Sequence, residues 1–274
     1  MRTAFAVLAS MTIAAGAAAA PKPQSLPPSD SLALARLETS PRHGEFVDIP
    51  YGTEGVRLRT WVVYPERKDK AGVVLMIHEI FGLSTWIRGV ADQVAAEGFI
   101  AVAPDLISGM GPGGGGTDSV ATRDDVVKLI RGLTPEETKR RLAAVRAYAV
   151  ALPASNGKLA SIGFCWGGGK SFEFAAAEPP PAAVVVYYGT APDSATLLRV
   201  KAPVLGLYGG DDARVDATIE PAKAALAKSG VTYDPHVFEG AGHGFLRQQS
   251  QRANLKATEK AWPLTVKFLH KHLD

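Results

Sequence analysis

Two apolar runs, Val73–Ile77 and Phe99–Ala103, constrain this chain more than anything else in it. Neither alternates with polar residues, so each reads as a strand covered on both faces, which is the condition of a parallel sheet. Residues 84–97 lie between them and read as a helix, opened by Ser84 as N-cap and closed by Gly98. The same alternation continues. Helical stretches fall near 120–131 and 135–151, the second announced by Thr134-Pro135-Glu136-Glu137. Strands follow at Lys158–Ile162, Ala182–Tyr187, Pro203–Leu207 and Val231–Phe238. Helices are expected after Gly163 to about Ala177, over 217–229 ended by Gly230, and over 251–272. Strand-helix alternation predicts an α/β fold with a mostly parallel sheet and helices on both faces. Residues 45–49 and 56–64, with Gly52 and Gly55 between them, predict an antiparallel hairpin at one edge. No linker interrupts the pattern after residue 45, so residues 45–274 are expected to be one domain.

Upstream of that domain the chain changes character. Met1-Arg2, an apolar stretch over 4–16 and the alanines Ala17–Ala20 have the order of a secretory signal peptide. Cleavage after Ala19 or Ala20 would fit, Pro21 being awkward just past a cut. A membrane anchor competes with this reading, but the run is dominated by alanine, and spanning takes about 20 strongly apolar residues. A soluble, exported protein, periplasmic or secreted, with no stable membrane anchor, is the expectation. Residues 21–44, rich in Pro and Ser, read as a tether with one helical turn around 31–37.

Composition narrows the function. Hydrophobic residues are 46% and charged residues 21%, which excludes a disordered chain. The net charge is only +3 and no basic block stands out, so nucleic acid is not an expected partner. The lysines of the last helix, Lys256, Lys260, Lys267 and Lys271, read as a solvated face. A single cysteine, Cys165, rules out an internal disulfide and a cysteine-only metal site. In an oxidising compartment a lone thiol is either buried and inert or kept for its chemistry.

Its surroundings favour chemistry. Gly163-Phe164-Cys165-Trp166-Gly167 lies between a strand and a helix, the pattern of a nucleophile elbow. Flanking glycines let strand and helix approach, and the thiol is presented at a helix N-terminus, which should favour the thiolate. The Trp166 amide can donate to an oxyanion there. A thiol nucleophile needs a base and an orienting acid, in the chain order nucleophile, acid, histidine. His243, in Gly240-Ala241-Gly242-His243-Gly244-Phe245 after the last strand, is the expected base. His270 and His272 are expected to be solvent-exposed, His43 lies in the tether and His236 within a strand, whereas His78 is near the site but precedes the cysteine. For the acid, Gly209-Gly210-Asp211-Asp212 ends a strand at the ligand edge of such a sheet. Asp211 and Asp212 are equal candidates on these grounds, with Asp216 a weaker third.

Taken together, these motifs resemble the dienelactone hydrolase (carboxymethylenebutenolidase) family of α/β-hydrolases. Glu79-Ile80-Phe81-Gly82, Pro104-Asp105-Leu106, Gly-Phe-Cys-Trp-Gly-Gly around Cys165, and His243-Gly244-Phe245-Leu246-Arg247 stand in the family's order, across about residues 45–272. The resemblance implies the α/β-hydrolase fold and hydrolysis of small esters or lactones through a thioester, with no cofactor and no metal. It implies Asp212 as the acid, and Glu79 as a partner of the resting thiol that helps to generate the thiolate. It further implies the Ile80 amide as the second oxyanion donor, and Arg247, Trp166 and Phe81 as substrate-binding residues. One departure stands out. The family's dienelactone enzymes hold the substrate carboxylate with two arginines, and at the second position this chain has Ile107-Ser108-Gly109-Met110. Arg123, in the following helix, is the available substitute. The glycine-rich loop 108–117 reads either as a lid or as a surface insertion. A catalytically degenerate, ligand-binding envelope protein is the alternative, and a redox role for the thiol is weakened by the lack of a resolving cysteine. Nothing in the chain dictates assembly, and a monomer is the expectation.

Overall fold

The computed structural model describes residues 25–52 and 55–274. Eight strands form one sheet: β1 (Gly44–Tyr51), β2 (Val56–Val63), β3 (Ala71–Ile77), β4 (Ile100–Pro104), β5 (Ser155–Phe164), β6 (Ala183–Tyr187), β7 (Val204–Gly209) and β8 (Tyr233–Phe238). Their order is β1-β2-β4-β3-β5-β6-β7-β8. The β1–β2 and β2–β4 pairs are antiparallel and every other pair is parallel. This is the α/β architecture the apolar runs predict, with the hairpin at one edge.

Strand period explains how both faces are covered. Val74 and Met76 of β3 and Ala160, Ile162 and Phe164 of β5 point into one core layer. Val73, Leu75 and Ile77, the alternate residues of β3, point into the other. On the first face pack α2 (Thr85–Ala96) and the terminal α9 (Arg252–Leu273). On the second lie α4 (Pro135–Val150), α5 (Trp166–Phe174) and α8 (Ile219–Ser229). The capping signals act as read: Ser84 Oγ accepts from the Ile87 amide, and Thr134 Oγ1 from that of Glu137. Gly230 closes α8 in the left-handed conformation at φ 70°. Two short helices, α6 (Ser194–Leu197) and α7 (Ala213–Asp216), follow β6 and β7 without having been expected. The helix α3 (Arg123–Gly132) begins three residues late, where Thr122 caps it. The strand β8 starts at Tyr233 and contains Pro235, tolerable because β8 is an edge strand bonded only to β7.

The signal-peptide reading falls on residues outside those described. No helix among the described residues is long and apolar enough to cross a membrane. Residues 25–44, expected as a tether, depart from it. A 3-10 turn at Asp30–Leu32 leads into α1 (Ala33–Glu38), and the segment is strapped onto α2. Ala33 is fully buried, and a side chain on Gly89 would strike Pro28 and Ala33, so that glycine admits the strap. Polar contacts hold its length. Trp86 Nε1 donates to the Pro28 carbonyl at 3.0 Å and Arg36 Nη1 to Gln93 Oε1 at 2.8 Å. Arg42 makes two hydrogen bonds to the buried Asp92 carboxylate, at 2.9 and 2.6 Å. The helical turn expected around 31–37 is present, but the proline and serine content did not signal the groove on α2 that receives the segment.

Candidate active site

The loops leaving the carboxyl ends of β3, β5, β6, β7 and β8 converge at one edge of the sheet, where this class of fold carries its ligands. The turn after β5 is sterically forced. Cys165 has φ 55° and ψ −116°, a left-handed backbone that costs energy for any residue but glycine. A side chain at Gly163 would lie 1.9 Å from the Gly167 carbonyl oxygen, and one at Gly167 would lie 2.3 Å from the carbonyl oxygens of Ile77 and His78. The two glycines therefore do what the motif requires: they let α5 press against β3 and β5 so that Cys165 stands clear of the sheet. The Cys165 amide is tied back to the Tyr187 carbonyl at 3.0 Å.

The backbone amides of Trp166 and Ile80 both lie near the Cys165 sulfur, where their dipoles favour its charged form. They come from different elements, the first turn of α5 and the loop after β3, so the pair exists only once the sheet has formed. The thiol itself differs from expectation. A helix N-terminus should favour the thiolate, yet burial, then the nearby Glu79 carboxylate, push the thiol above its ordinary range. Desolvation outweighs the amide dipoles and disfavours the thiolate.

After β7 the adjacent aspartates separate. The Asp211 amide donates to the Ala241 carbonyl at 3.0 Å and its side chain is exposed. Asp212 turns inward, with Oδ2 2.5 Å from His243 Nδ1. A side chain at Gly209 would lie 2.5 Å from the Ala241 carbonyl oxygen, which is why the two loops can lie this close. Asn254 Oδ1 holds the histidine loop through the Gly242 amide at 2.9 Å. The buried Tyr188, itself at φ 40°, sets its ring edge against His243 with centroids 5.2 Å apart. Tyr188 also lies within electrostatic reach of Glu79 and Cys165. Sequence reasoning missed it; its place just past the end of β6 is the signal that could have found it. Asp216 is pushed above the usual carboxylate range by burial and by Asp212 and Asp211.

The remaining histidines take other roles. His78 is fully buried, and its Nε2 accepts from the Leu106 amide at 3.1 Å. The proton therefore sits on Nδ1, which donates to the Glu79 carbonyl at 2.7 Å. Burial lowers its pKa, and the neutral ring fixes the Glu79 loop against the Pro-Asp-Leu turn. His270 and His272, expected to be exposed, are half-buried against Phe99 and Phe268 because the end of α9 returns to the body of the protein.

Glu79 is buried beside this turn with a pKa raised to about 7, chiefly by desolvation and against the pull of Arg247. Arg247 Nε lies 3.3 Å from Glu79 Oε2, and its Nη1 donates to Asp30 Oδ2 at 2.9 Å. Arg247 also lies over the Phe81 ring at 5.3 Å, and Arg123 lies over the same ring at 4.3 Å. Arg123 thus comes close to the position for which it was considered. The loop 108–117 is pinned: Asp105 accepts from the Thr117 amide at 2.6 Å and from its hydroxyl at 2.9 Å. Among the described residues no group of three His, Cys, Asp or Glu side chains is arranged to hold a metal ion.

Against known proteins, the dienelactone hydrolase family profile matches residues 58–273. This chain belongs to the dienelactone hydrolase family. As a member it is a hydrolase of α/β-hydrolase fold. It is 30% identical over 212 residues to the carboxymethylenebutenolidase of Pseudomonas putida, a match that covers 72% of this chain and 88% of that one. In fold it is similar to a dienelactone hydrolase from Anabaena variabilis, with a TM-score of 0.64 at 22% identity, over 85% of this chain and 99% of the other. A dienelactone hydrolase-like promiscuous phosphotriesterase from metagenomic libraries gives 0.72 at 23% identity, again over 85% and 99%. The strap of residues 25–44 precedes the stretch the family profile matches.

Proposed function

We propose that this family member hydrolyses small carboxylic esters or lactones through a thioester on Cys165. The observation that supports the reading is the strained turn that presents Cys165 at the strand ends where Asp212 and His243 meet, with the Trp166 and Ile80 amides near its sulfur. Donors there would meet the oxygen of a carbonyl under attack, where negative charge develops. The sulfur attacks the carbonyl carbon and its proton passes to His243, with Glu79 aiding removal from a thiol whose charged form burial disfavours. Collapse of the tetrahedral adduct breaks the carbon–oxygen bond, and His243 returns the proton to the departing alkoxide. His243 then takes a proton from water, whose oxygen attacks the thioester; the acid leaves and the thiol is restored. Asp212 holds Nδ1–H, so that Nε2 is free to shuttle protons. Arg247, Phe81 and Trp166 line the approach of the acyl group. We further propose that residues 1–20 direct the protein out of the cytoplasm, which fractionation of cells expressing the full chain would test.

The catalytic test is Cys165→Ala. It should stay folded, by circular dichroism, while hydrolysis of a small aryl ester falls to background. In the unaltered protein, rapid quenching should give an adduct of the acyl mass on the peptide that contains Cys165. Undiminished turnover in Cys165→Ala would sink the assignment.

A further inference from the structure

Arg247 is the residue that the family resemblance assigns to a substrate carboxylate, yet in this structure its guanidinium already holds a carboxylate of the chain itself. A guanidinium grips a carboxylate with two parallel N–H groups, using either the Nε edge or the edge formed by its two Nη atoms. Here Nε faces Glu79 Oε2 at 3.3 Å and Nη1 donates to Asp30 Oδ2 at 2.9 Å. The Nη1–Nη2 edge has therefore lost one prong to Asp30, whereas Nε lies beside the Glu79 carboxyl without a hydrogen bond to it. The positive charge is also balanced by the Asp30 carboxylate of the strap.

Asp30 is not a loose surface side chain that happens to meet an arginine. Its own amide donates to the Arg247 carbonyl at 3.0 Å, so backbone and side chain grip the same residue. Just upstream, Pro28 is bonded to Trp86, and Gln249 Nε2 donates to the Pro27 carbonyl at 2.9 Å. Just downstream, Ala33 is buried against α2. The strap thus delivers a carboxylate to Arg247 from a segment that lies before the stretch the family profile matches.

We propose that Asp30 is a specificity-determining residue: its carboxylate occupies Arg247 in place of a substrate carboxylate and tunes the pocket toward uncharged acyl groups. The inference rests on the hydrolase reading above. An acid-bearing substrate would have to displace Asp30 and would feel its negative charge. A neutral ester or lactone meets neither cost. No arginine stands at Ile107–Met110, and Arg123, over the Phe81 ring at 4.3 Å, is the other cation beside Arg247.

The experiment compares para-nitrophenyl hexanoate with the para-nitrophenyl monoester of adipate, which has the same chain length and a terminal carboxylate. Wild type, Asp30→Asn, Asp30→Ala and the double variant Asp30→Ala/Arg247→Met are assayed, with spontaneous hydrolysis subtracted. The wild type should prefer the hexanoate. Asp30→Ala should gain about tenfold or more in kcat/KM on the adipate ester, through KM, as expected for recovering a charge-assisted pair. Hexanoate turnover should stay within about twofold, and Asp30→Asn, which removes charge alone, should be intermediate. The double variant should lose the gain. Glutarate binding, measured by calorimetry, needs no catalysis and should tighten by a similar factor in Asp30→Ala. If the wild type hydrolyses neither ester, the hydrolase reading fails while the glutarate titration still decides the role of Asp30. Equal changes on both esters, or an adipate preference already in the wild type, would overturn the proposal. So would unchanged glutarate affinity in both single variants.

Discussion

Asp212 Oδ2 and His243 Nδ1 are 2.5 Å apart although 31 residues separate them in the chain. The contact joins the loops after β7 and β8, and it commits the imidazole to one tautomer. With Nδ1–H donated to the carboxylate, Nε2 is left as the basic nitrogen. Asp212→Asn keeps the shape but can present its amide N–H to the ring and favour the other tautomer. Hydrolysis of an aryl ester should fall by about a thousandfold or more in kcat, with KM little changed. Steady-state kinetics check this, and a loss below tenfold would remove Asp212 from the proton relay.

Glu79 makes stability depend on pH in a direction opposite to that of most paired carboxylates. Burial raises its pKa from about 4.5 to about 7. Between those values the folded state binds a proton that the unfolded state releases, so this group's contribution to stability falls as pH rises from 4.5 toward 7. Glu79→Gln removes that cost. Its Tm relative to wild type should therefore rise between pH 5 and pH 8, as thermal melts would show, while ester hydrolysis slows. A Tm difference independent of pH would contradict the assignment.

The elbow glycines should be intolerant of any side chain, unlike a glycine that faces open space. Gly163→Ala places a methyl carbon 1.9 Å from the Gly167 carbonyl oxygen, which neither α5 nor β5 can relieve. A loss of about 3 kcal/mol or more is expected. Gly132→Ala, at the end of α3 with nothing within 4 Å of the new carbon, should instead stabilise by about 0.5 kcal/mol. Urea denaturation of the two variants measures the contrast.

Asp92 is the anchor at the downstream end of the strap. Its buried carboxylate takes both hydrogen bonds from Arg42 and one from Ser40. Asp92→Ala leaves a largely buried guanidinium with only the exposed Glu66, at 3.8 Å, and should cost about 3 kcal/mol. Hydrogen exchange should quicken first in residues 30–44, ahead of the sheet. Protection unchanged across that segment would mean that the apolar contacts of Pro28 and Ala33 hold the strap without it.

Local steric demands are legible in a sequence because they involve neighbours in the chain. The runs Val73–Ile77 and Phe99–Ala103 had to be covered on both faces whatever packed there. Gly163 and Gly167 had to flank a strained residue, because only a missing side chain lets a strand and the following helix come so close. The order of strands and helices, the edge hairpin, the elbow at Cys165 and the loop of His243 follow from such rules. Choosing Asp212 over Asp211 did not follow from them; it needed the family resemblance, because both are polar residues past the same strand. What separates them is the approach of the histidine loop, which takes the Asp211 amide and leaves the Asp212 carboxylate facing His243.

What tertiary structure alone decided are the terms that act through space. Whether the Cys165 sulfur favours thiol or thiolate depends on burial and on the charge of Glu79, which together outweigh the helix-terminus effect visible in the sequence. Tyr188 reads as a residue without a role just past a strand until the fold sets it against His243. Most of all, Asp30 and Arg247 meet across 217 positions. A Pro- and Ser-rich stretch carries no periodicity to announce where it will dock. The groove on α2 and the cation at its end exist only after the rest of the chain has folded. The sequence by itself determined the sheet, the elbow and the chemistry carried at each strand end. The fold decided which charges meet there, because an electrostatic partner is chosen by distance and burial rather than by position along the chain.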